Sequence, residues 1–455
     1  MKKYFTLLFL LFPLWSLFSQ TGCWSKVAAS HSQTLAIKND GTLWCWGANN
    51  YGQVGIGSTA SQFTPVQIGT LNTWTEVAVS DLSSFAIQQD GSLWAWGYNG
   101  YGMLGDGTTM QRNSPVHIGT ASYKKVTSNS FATLAIRTDG TLWAWGNNGW
   151  PLFGNGTSNT SSSVPLQVGS GNDWKQVVLG IYHAAAIKND GTLWGWGSNV
   201  YGITGNGTPT PTLIPVQTGV GNNWKNVACG HDSTLAIKTD GTLWAWGTNQ
   251  FGMFGNGSNE GYSYVPVQIG IANNWKEIDA DFSSCVAVKT NGTLWGWGFN
   301  STGALGNGTS VDANVPMQSG TSTDWKTAAM GGQHAAGIQN DGSMWTWGQN
   351  RNGQLGNVSS DPSLVPVDIG CPTALGIVAF PKDGSLIVSP NPVADVFYIT
   401  SDYLVDRLVI SDMTGKIVLE HSGSGEIDVR MLVSGLYVLQ TFSNGVVGEC
   451  KFLKL

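Results

Sequence analysis

Residues 241–249 read GTLWAWGTN, two tryptophans one residue apart. Nearly the same words stand at 41, 91, 140, 191, 292 and 342. The first Trp of each pair falls at 44, 94, 143, 194, 244, 295 and 345, so the steps are 50, 49, 51, 50, 51 and 50 residues. A period this regular marks a repeat architecture, in which each unit buries its apolar face against its neighbours. Seven units occupy roughly residues 24–370.

In a strand, residues two apart point to the same side, so Trp244 and Trp246 share one face while Leu243 and Ala245 share the other. The residue between the tryptophans is always small: Cys45, Ala95, Ala144, Gly195, Ala245, Gly296 and Thr346. Packing of large against small side chains between stacked units explains both features. The expected core between units is therefore Trp44 and Trp46, Trp94 and Trp96, Trp143 and Trp145, Trp194 and Trp196, Trp244 and Trp246, Trp295 and Trp297, and Trp345 and Trp347.

The fifth copy shows four short strands: WKNVACG from Trp224, TLAIK and TLWAW within the stretch from Thr234, and VPVQIG from Val265. The second and third are joined by Asp-Gly, a dipeptide that tolerates the positive φ of a tight hairpin. It recurs at Asp40, Asp90, Asp139, Asp190, Asp240 and Asp341, with Asn291 in copy six. Turn chemistry explains these residues better than a ring of catalytic carboxylates. A second hairpin is expected between each PVQIG and the following W-x-x-V, for example from Pro65 to Val77. On that pairing the first copy lacks a leading strand and residues 366–370 are spare, and a circle resolves both defects. The expected fold is an all-β, seven-bladed β-propeller whose last strand completes the first sheet.

Cys23 stands just before Trp24 and Cys371 just after Gly370, matching Thr73 and Thr70 of an uninterrupted connection. A disulfide across the closure is expected, stabilising the ring in an oxidising compartment. Cys45, Cys229, Cys285 and Cys450 lack metal-type spacing and read as buried thiols.

Composition agrees with this architecture. Among 455 residues only 11% are charged, while Gly (61) and Trp (22) abound, which is turn-rich and aromatic. A net charge of -6 without a Lys or Arg run argues against nucleic acid and anionic membranes as partners. In residues 1–20, Lys2 and Lys3 precede an apolar run over 4–18, followed by Ser19 and Gln20, the pattern of a secretory signal peptide. No other segment is long and apolar enough to be a transmembrane span. An exported, monomeric protein is expected.

WGYNGYGMLGDGT from Trp96 and WGFNSTGALGNGT from Trp297 resemble the repeat of the RCC1 family (regulator of chromosome condensation). The resemblance spans about three quarters of the chain and implies a seven-bladed propeller over residues 21–371. His183 and His334 match the family's H-x-x-x-aliphatic pattern. The founder's chromatin role does not carry across to an acidic chain with a leader. Secreted bacterial members, among them a β-lactamase inhibitor, instead imply a propeller face that grips a partner. Residues 384–455 carry SPNPVADVFYI from Ser389, LVISDMTGKIVL from Leu408 and SGLYVLQTF from Ser434. This tail resembles the C-terminal sorting domain of the type IX secretion system, a small β-sandwich. It implies the secretion machinery and a sorting peptidase as partners, residues 372–383 as the linker near which cutting occurs, and delivery to the medium or outer cell surface.

Enzymatic patterns are weak. The six histidines (31, 117, 183, 231, 334 and 421) fall at inconsistent repeat positions, and no GxSxG elbow is present. The GNGT loops at Gly154, Gly205 and Gly306 lack the Lys and helix of a phosphate cradle. No catalytic residue, metal or cofactor is expected. One feature stands out: Tyr51, Tyr101, Trp150, Tyr201 and Phe251 stand where each long loop opens, before a Gly or, in copy three, Pro151, where the last two copies have Thr302 and Asn352. Five blades would carry an aromatic at one height on a rim, either to bind a protein or glycan or to pack against the neighbouring loop. A binding module is the favoured function. The rival, a hydrolase or lyase on a propeller face, would need titratable residues converging there, and the repeats show none.

Overall fold

The computed structural model describes residues 23–371, 386–389, 393–401, 405–412, 416–423, 426–443 and 446–455. The expected leader (1–20), the expected linker (372–383) and the Cys450 side chain lie outside the described residues. Contacts divide the chain into two units, Met1–Cys371 and Pro372–Leu455.

Each repeat folds into four antiparallel strands laid side by side in chain order. In the first blade these are β1 (Trp24–Ser30), β2 (Gln33–Lys38), β3 (Leu43–Gly47) and β4 (Gln62–Gln67). The Asp-Gly turn between β2 and β3 closes on itself: Thr42 donates to Asp40 Oδ1 from its backbone N–H at 2.9 Å and from its hydroxyl at 2.6 Å. Gly41 sits there at φ 81°, where a Cβ would lie 2.0 Å from the Asn72 carbonyl oxygen, so only glycine fits.

Five repeats form separate four-stranded sheets. The second and third share one long strand, Arg112–Ser128, which is the outer strand of one blade and the inner strand of the next, in a seven-stranded sheet. Here the link from residue 118 to 123 is one residue shorter than its counterpart from 68 to 74, which accounts for the single 49-residue step and lets the chain run straight on. The ring therefore has seven blades.

The expected hairpin between a PVQ segment and the following W-x-x-V strand does not form. β4 pairs with β3 of its own blade (Cys45↔Val66), and β1 pairs with β2 (Val27↔Ala36). Every blade is thus contiguous in sequence, and no strand from the end of the chain completes the first sheet. The reason lies in Pro65 and its counterparts: proline has no N–H to give a second neighbour, which suits the outermost edge of a blade. The segment after β4 then crosses from that edge to the inner strand of the next blade.

Closure is instead made by side chains, the terminal backbone and a disulfide. Cys23 is bonded to Cys371 with Cα atoms 5.8 Å apart. Trp24 donates its backbone N–H to Gly342 O at 2.9 Å and its indole N–H to Gly370 O at 3.0 Å. Trp24, Trp46, Ile338 and Met344 bury one another at this junction.

The tryptophan pairs divide into two roles. The second of each pair is fully buried and donates its indole N–H to the long loop of the preceding blade, as Trp96 does to Gln53 O at 2.8 Å and Trp246 to Ile203 O at 3.1 Å. The Gln53 carbonyl also meets the small residue of its own blade, Cys45, whose Sγ lies 3.9 Å away. Large and small residues therefore lie opposite each other across the interface but do not touch, because one turn of loop backbone is held between them. Gly55 keeps that loop thin, since a Cβ there would come within 2.6 Å of Trp96 Nε1. The first of each pair reaches the blade edge, and apart from the buried Trp44 these are only half-buried. Cations cover several: Arg137 lies 3.3 Å from the Trp143 ring centroid and Lys238 3.8 Å from that of Trp244.

Within Pro372–Leu455, Leu386–Ser389, Val396–Ser401 and Glu426–Asp428 form one sheet. Arg407–Asp412, Ile417–Ser422, Gly435–Ser443 and Val446–Lys454 form the other. Phe397, Leu408, Ile410, Ile427, Leu439 and Phe452 make a shared core, as in a small β-sandwich.

Candidate binding face at the channel mouth

All inner strands run the same way around a central channel that encloses a cavity of about 340 Å³. They begin at the lower face, which also carries the Asp-Gly turns, and end at the upper face, where the long loops open. The alternation of a strand sends every second residue into the channel.

The lowest channel layer is polar. Lys26 and Lys125 both pair with Glu76, the latter at 2.9 Å, while the Thr327 hydroxyl donates to Glu277 Oε1 at 2.8 Å. The next layer is mostly small and apolar (Ala28, Ala78, Val178, Ala228, Ala329), with Thr127 and Asp279 as its polar members. At the mouth stand Ser30, Asp81, Ser130 and Asp281. Asp81 accepts hydrogen bonds from the hydroxyls of Ser30, at 3.2 Å, and Ser130.

Glu277, Asp279 and Asp281 come from one inner strand, WKEIDAD, and all face the channel. Titratable residues thus line the channel from its lowest layer, at Glu277, to its mouth, where Asp81 joins Asp281, which the repeat pattern did not indicate. The E-x-D-x-D alternation was the available signal, but its meaning depends on that strand being the innermost. Asp279 accepts from the backbone N–H groups of Met330 at 2.9 Å and Ala280 at 3.0 Å, yet burial pushes its pKa up to about 7. Burial, reinforced by the charge of Asp81, does the same for Asp281, also to about 7. Among the described residues, none of Asp81, Asp279 and Asp281 forms an ion pair with Lys or Arg. His231, beside them, is held by Asp232 at 2.6 Å, and that bond raises its pKa.

Around this mouth lies an aromatic belt. Tyr51, Tyr101, Trp150 and Tyr201 are exposed (38–48%), and Phe251 is half-buried with φ 59°. Tyr51, Tyr98, Tyr101 and Phe131 form one arc, with centroids 5.3, 6.2 and 6.4 Å apart in turn. A second arc runs from Trp150 to Tyr182 (4.6 Å), His231 (5.0 Å), Phe282 (5.7 Å), Phe299 (6.5 Å) and Phe251 (5.3 Å). Tyr201 stands apart, 6.3 Å from Tyr262. The rim residues therefore pack on neighbouring rings and also present surface to solvent. Phe131, Tyr182 and Phe282, which the repeat pattern did not single out, sit in the hairpins after the inner strands and carry the belt to the mouth.

Buried asparagines hold the long loops in shape. Asn249 Oδ1 accepts the Phe254 N–H at 2.8 Å and its Nδ2 donates to Ser258 O at 3.0 Å, and Asn49, Asn99, Asn148, Asn199, Asn300 and Asn350 are placed alike. His183 and His334 are structural: each Nε2 meets a threonine hydroxyl of the next blade, Thr234 at 2.8 Å and Thr34 at 2.9 Å. Burial lowers their pKa values to about 4 and about 3. Cys45, Cys229 and Cys285 are free and buried. Among the described residues, no group of His, Cys, Asp and Glu is arranged to hold a metal ion, and no helix is long and apolar enough to cross a membrane.

Comparison with known proteins places this geometry. Residues 117–388 match the RCC1-like domain, and residues 24–53, 40–87 and 90–131 match the RCC1 repeat. Human WBSCR16 is similar at 19% identity and a TM-score of 0.66, over 73% of this chain and 94% of that one. Prp20p of Saccharomyces cerevisiae is similar at 20% identity and 0.64, over 78% and 89%. Yeast RCC1 (Prp20) bound to Kap60 gives 19% and 0.65, over 77% and 90%. At these identities the likeness is one of fold. Residues 388–453 match the secretion system C-terminal sorting domain, which indicates type IX secretion to the cell surface or the extracellular space. The chain belongs to the RCC1-like propeller family and bears a C-terminal sorting domain.

Proposed function

We propose that the protein is an exported binding module that holds a protein or glycan partner on its upper face. Its sorting domain hands it to the type IX machinery and is cut off by the sorting peptidase near residues 372–383. The observation that carries the reading is the aromatic belt around the channel mouth. Exposed Tyr and Trp anchor partners with large contact area, and rings already locked edge to face lose little freedom on binding. The belt stands on loops pinned by buried asparagines, so the face is preformed.

One observation favours a catalytic reading: carboxyls with pKa values near 7 at Asp279 and Asp281 suit general acid-base work. The two readings separate experimentally. The purified protein is offered cell-surface extract and culture glycans, beside a Tyr51→Ala, Tyr101→Ala, Trp150→Ala variant with an unchanged melting temperature. Loss of the captured partner in the variant is expected, and its full retention would overturn the binding face. Turnover of a captured glycan or protein that Asp281→Asn abolishes would instead establish the enzyme.

A further inference from the structure

Charge is distributed unevenly between the two faces. Of the propeller's fourteen Lys and Arg residues, only Arg112 and Arg351 stand on the upper face, and Arg112 is paired with Asp106 at 2.7 Å. The other cations lie toward the lower face, on the second strands over the tryptophan rings, at the start of the inner strands, or on Glu76 in the channel. The upper face, by contrast, carries Asp81, Asp232 and Asp281 around the mouth and Glu260, Asp312 and Asp361 on the long loops. None of these six pairs with Lys or Arg among the described residues.

The repeat does not require this acid. On the lower face, the aspartates of the Asp-Gly turns recur in blade after blade because they cap a turn. At the mouth, each acid occupies its hairpin position once: Asp81 aligns with His31, Ser130 and Ile181, and Asp281 with Ser30, Asn129 and Gly180. The aromatic rings surround the same mouth. Carboxylates and ring faces together form the environment that suits an ammonium or guanidinium group, by charge-assisted hydrogen bonds and cation–π contact.

We infer that the upper face receives a basic protein segment, with a Lys or Arg side chain entering the channel mouth toward Asp81 and Asp281 and further cations meeting Glu260, Asp312 and Asp361. This rests on the binding-face reading and specifies its partner. The spread of acid over blades two, five, six and seven matches a partner with several cations at intervals, which distinguishes it from a neutral sugar or a single metal ion. Burial also makes the charge on Asp281 costly, and an arriving cation relieves that cost.

The test uses the full exported protein and three short labelled peptides of equal length: Lys/Arg-Ser, Glu-Ser and Gly-Ser. By fluorescence anisotropy at low salt, the basic peptide is expected to bind at least about tenfold more tightly than the others, weakening as salt rises. An Asp81→Asn, Asp281→Asn variant and, as an independent check on exposed loops, a Glu260→Lys, Asp361→Lys variant should each weaken it about tenfold. The lower-face variant Asp173→Asn should leave it unchanged. Equal affinity for basic and neutral peptides, or basic-peptide binding untouched by both upper-face variants, would overturn the inference. A neutral glycan held through Tyr51, Tyr101 and Trp150 and indifferent to the charge variants would also overturn it, while leaving the binding module intact.

Discussion

Trp46 donates its indole N–H to the Gln354 carbonyl at 2.9 Å, joining the first blade to the last across 308 residues of chain. Trp96 makes the same bond to Gln53 at 2.8 Å across only 43 residues. The closing interface is thus built like every other, and sequence distance leaves no mark on its geometry.

Trp46→Phe is therefore expected to cost as much as Trp96→Phe. Each loses one buried hydrogen bond and part of a close-packed ring, about 2–4 kcal/mol together. Urea melts of the two variants should agree within about 1 kcal/mol, the usual spread between equivalent sites. A much larger loss at Trp46 would show that closure is a special interface.

The chain that links every other pair of neighbouring blades is missing at the closure, and the Cys23–Cys371 disulfide takes its place. Replacing both with Ser should lower stability by about 2–5 kcal/mol. Hydrogen exchange should quicken first in strands of the first and last blades. Uniform loss of protection around the ring would contradict this.

Asp279 and Asp281 hold their protons up to about pH 7 when folded, against an ordinary value of 3.8. A raised carboxyl pKa favours the folded state below the unfolded value, and that contribution is lost as pH climbs through the folded one. Asp279→Asn and Asp281→Asn should thus raise the melting temperature at pH 8 by about 2–4 °C each and change little at pH 4. The comparison of thermal melts at the two pH values checks the sign directly.

His183 and His334 act in the opposite direction. Their folded pKa values, about 4 and about 3, lie below the ordinary 6.5. Neutral imidazole is kept in the fold, so the stability they contribute is present above pH 6.5 and fades as acid protonates the unfolded chain. A His183→Gln, His334→Gln variant, which places at both sites the residue found at Gln33, should lose less stability between pH 7 and pH 4.5 than the parent.

Much of the molecule was legible in the sequence because it is written in local terms. The 50-residue step counted the blades, Asp-Gly marked the tight turns, and the flanking positions of Cys23 and Cys371 pointed to their pairing. The alternation of Trp244, Ala245 and Trp246 assigned the large and small faces of one strand. Tyr51 and its counterparts followed from their fixed place in the repeat, seven residues after the first Trp of each pair.

Strand pairing was a tertiary decision. PVQ can form a hairpin with either neighbouring segment on local grounds, and only the ring, with Pro65 turned to its outer edge, selects the strand before it. That choice makes W-x-x-V the innermost strand. It follows that Glu277, Asp279 and Asp281 face a channel, that Asp81 approaches them from four blades away in the chain, and that Trp244 sits at an edge under Lys238 while Trp246 is sealed. Residues far apart in sequence meet only once the blades close, because the curvature of the ring, and no local preference, sets which side chains share its axis.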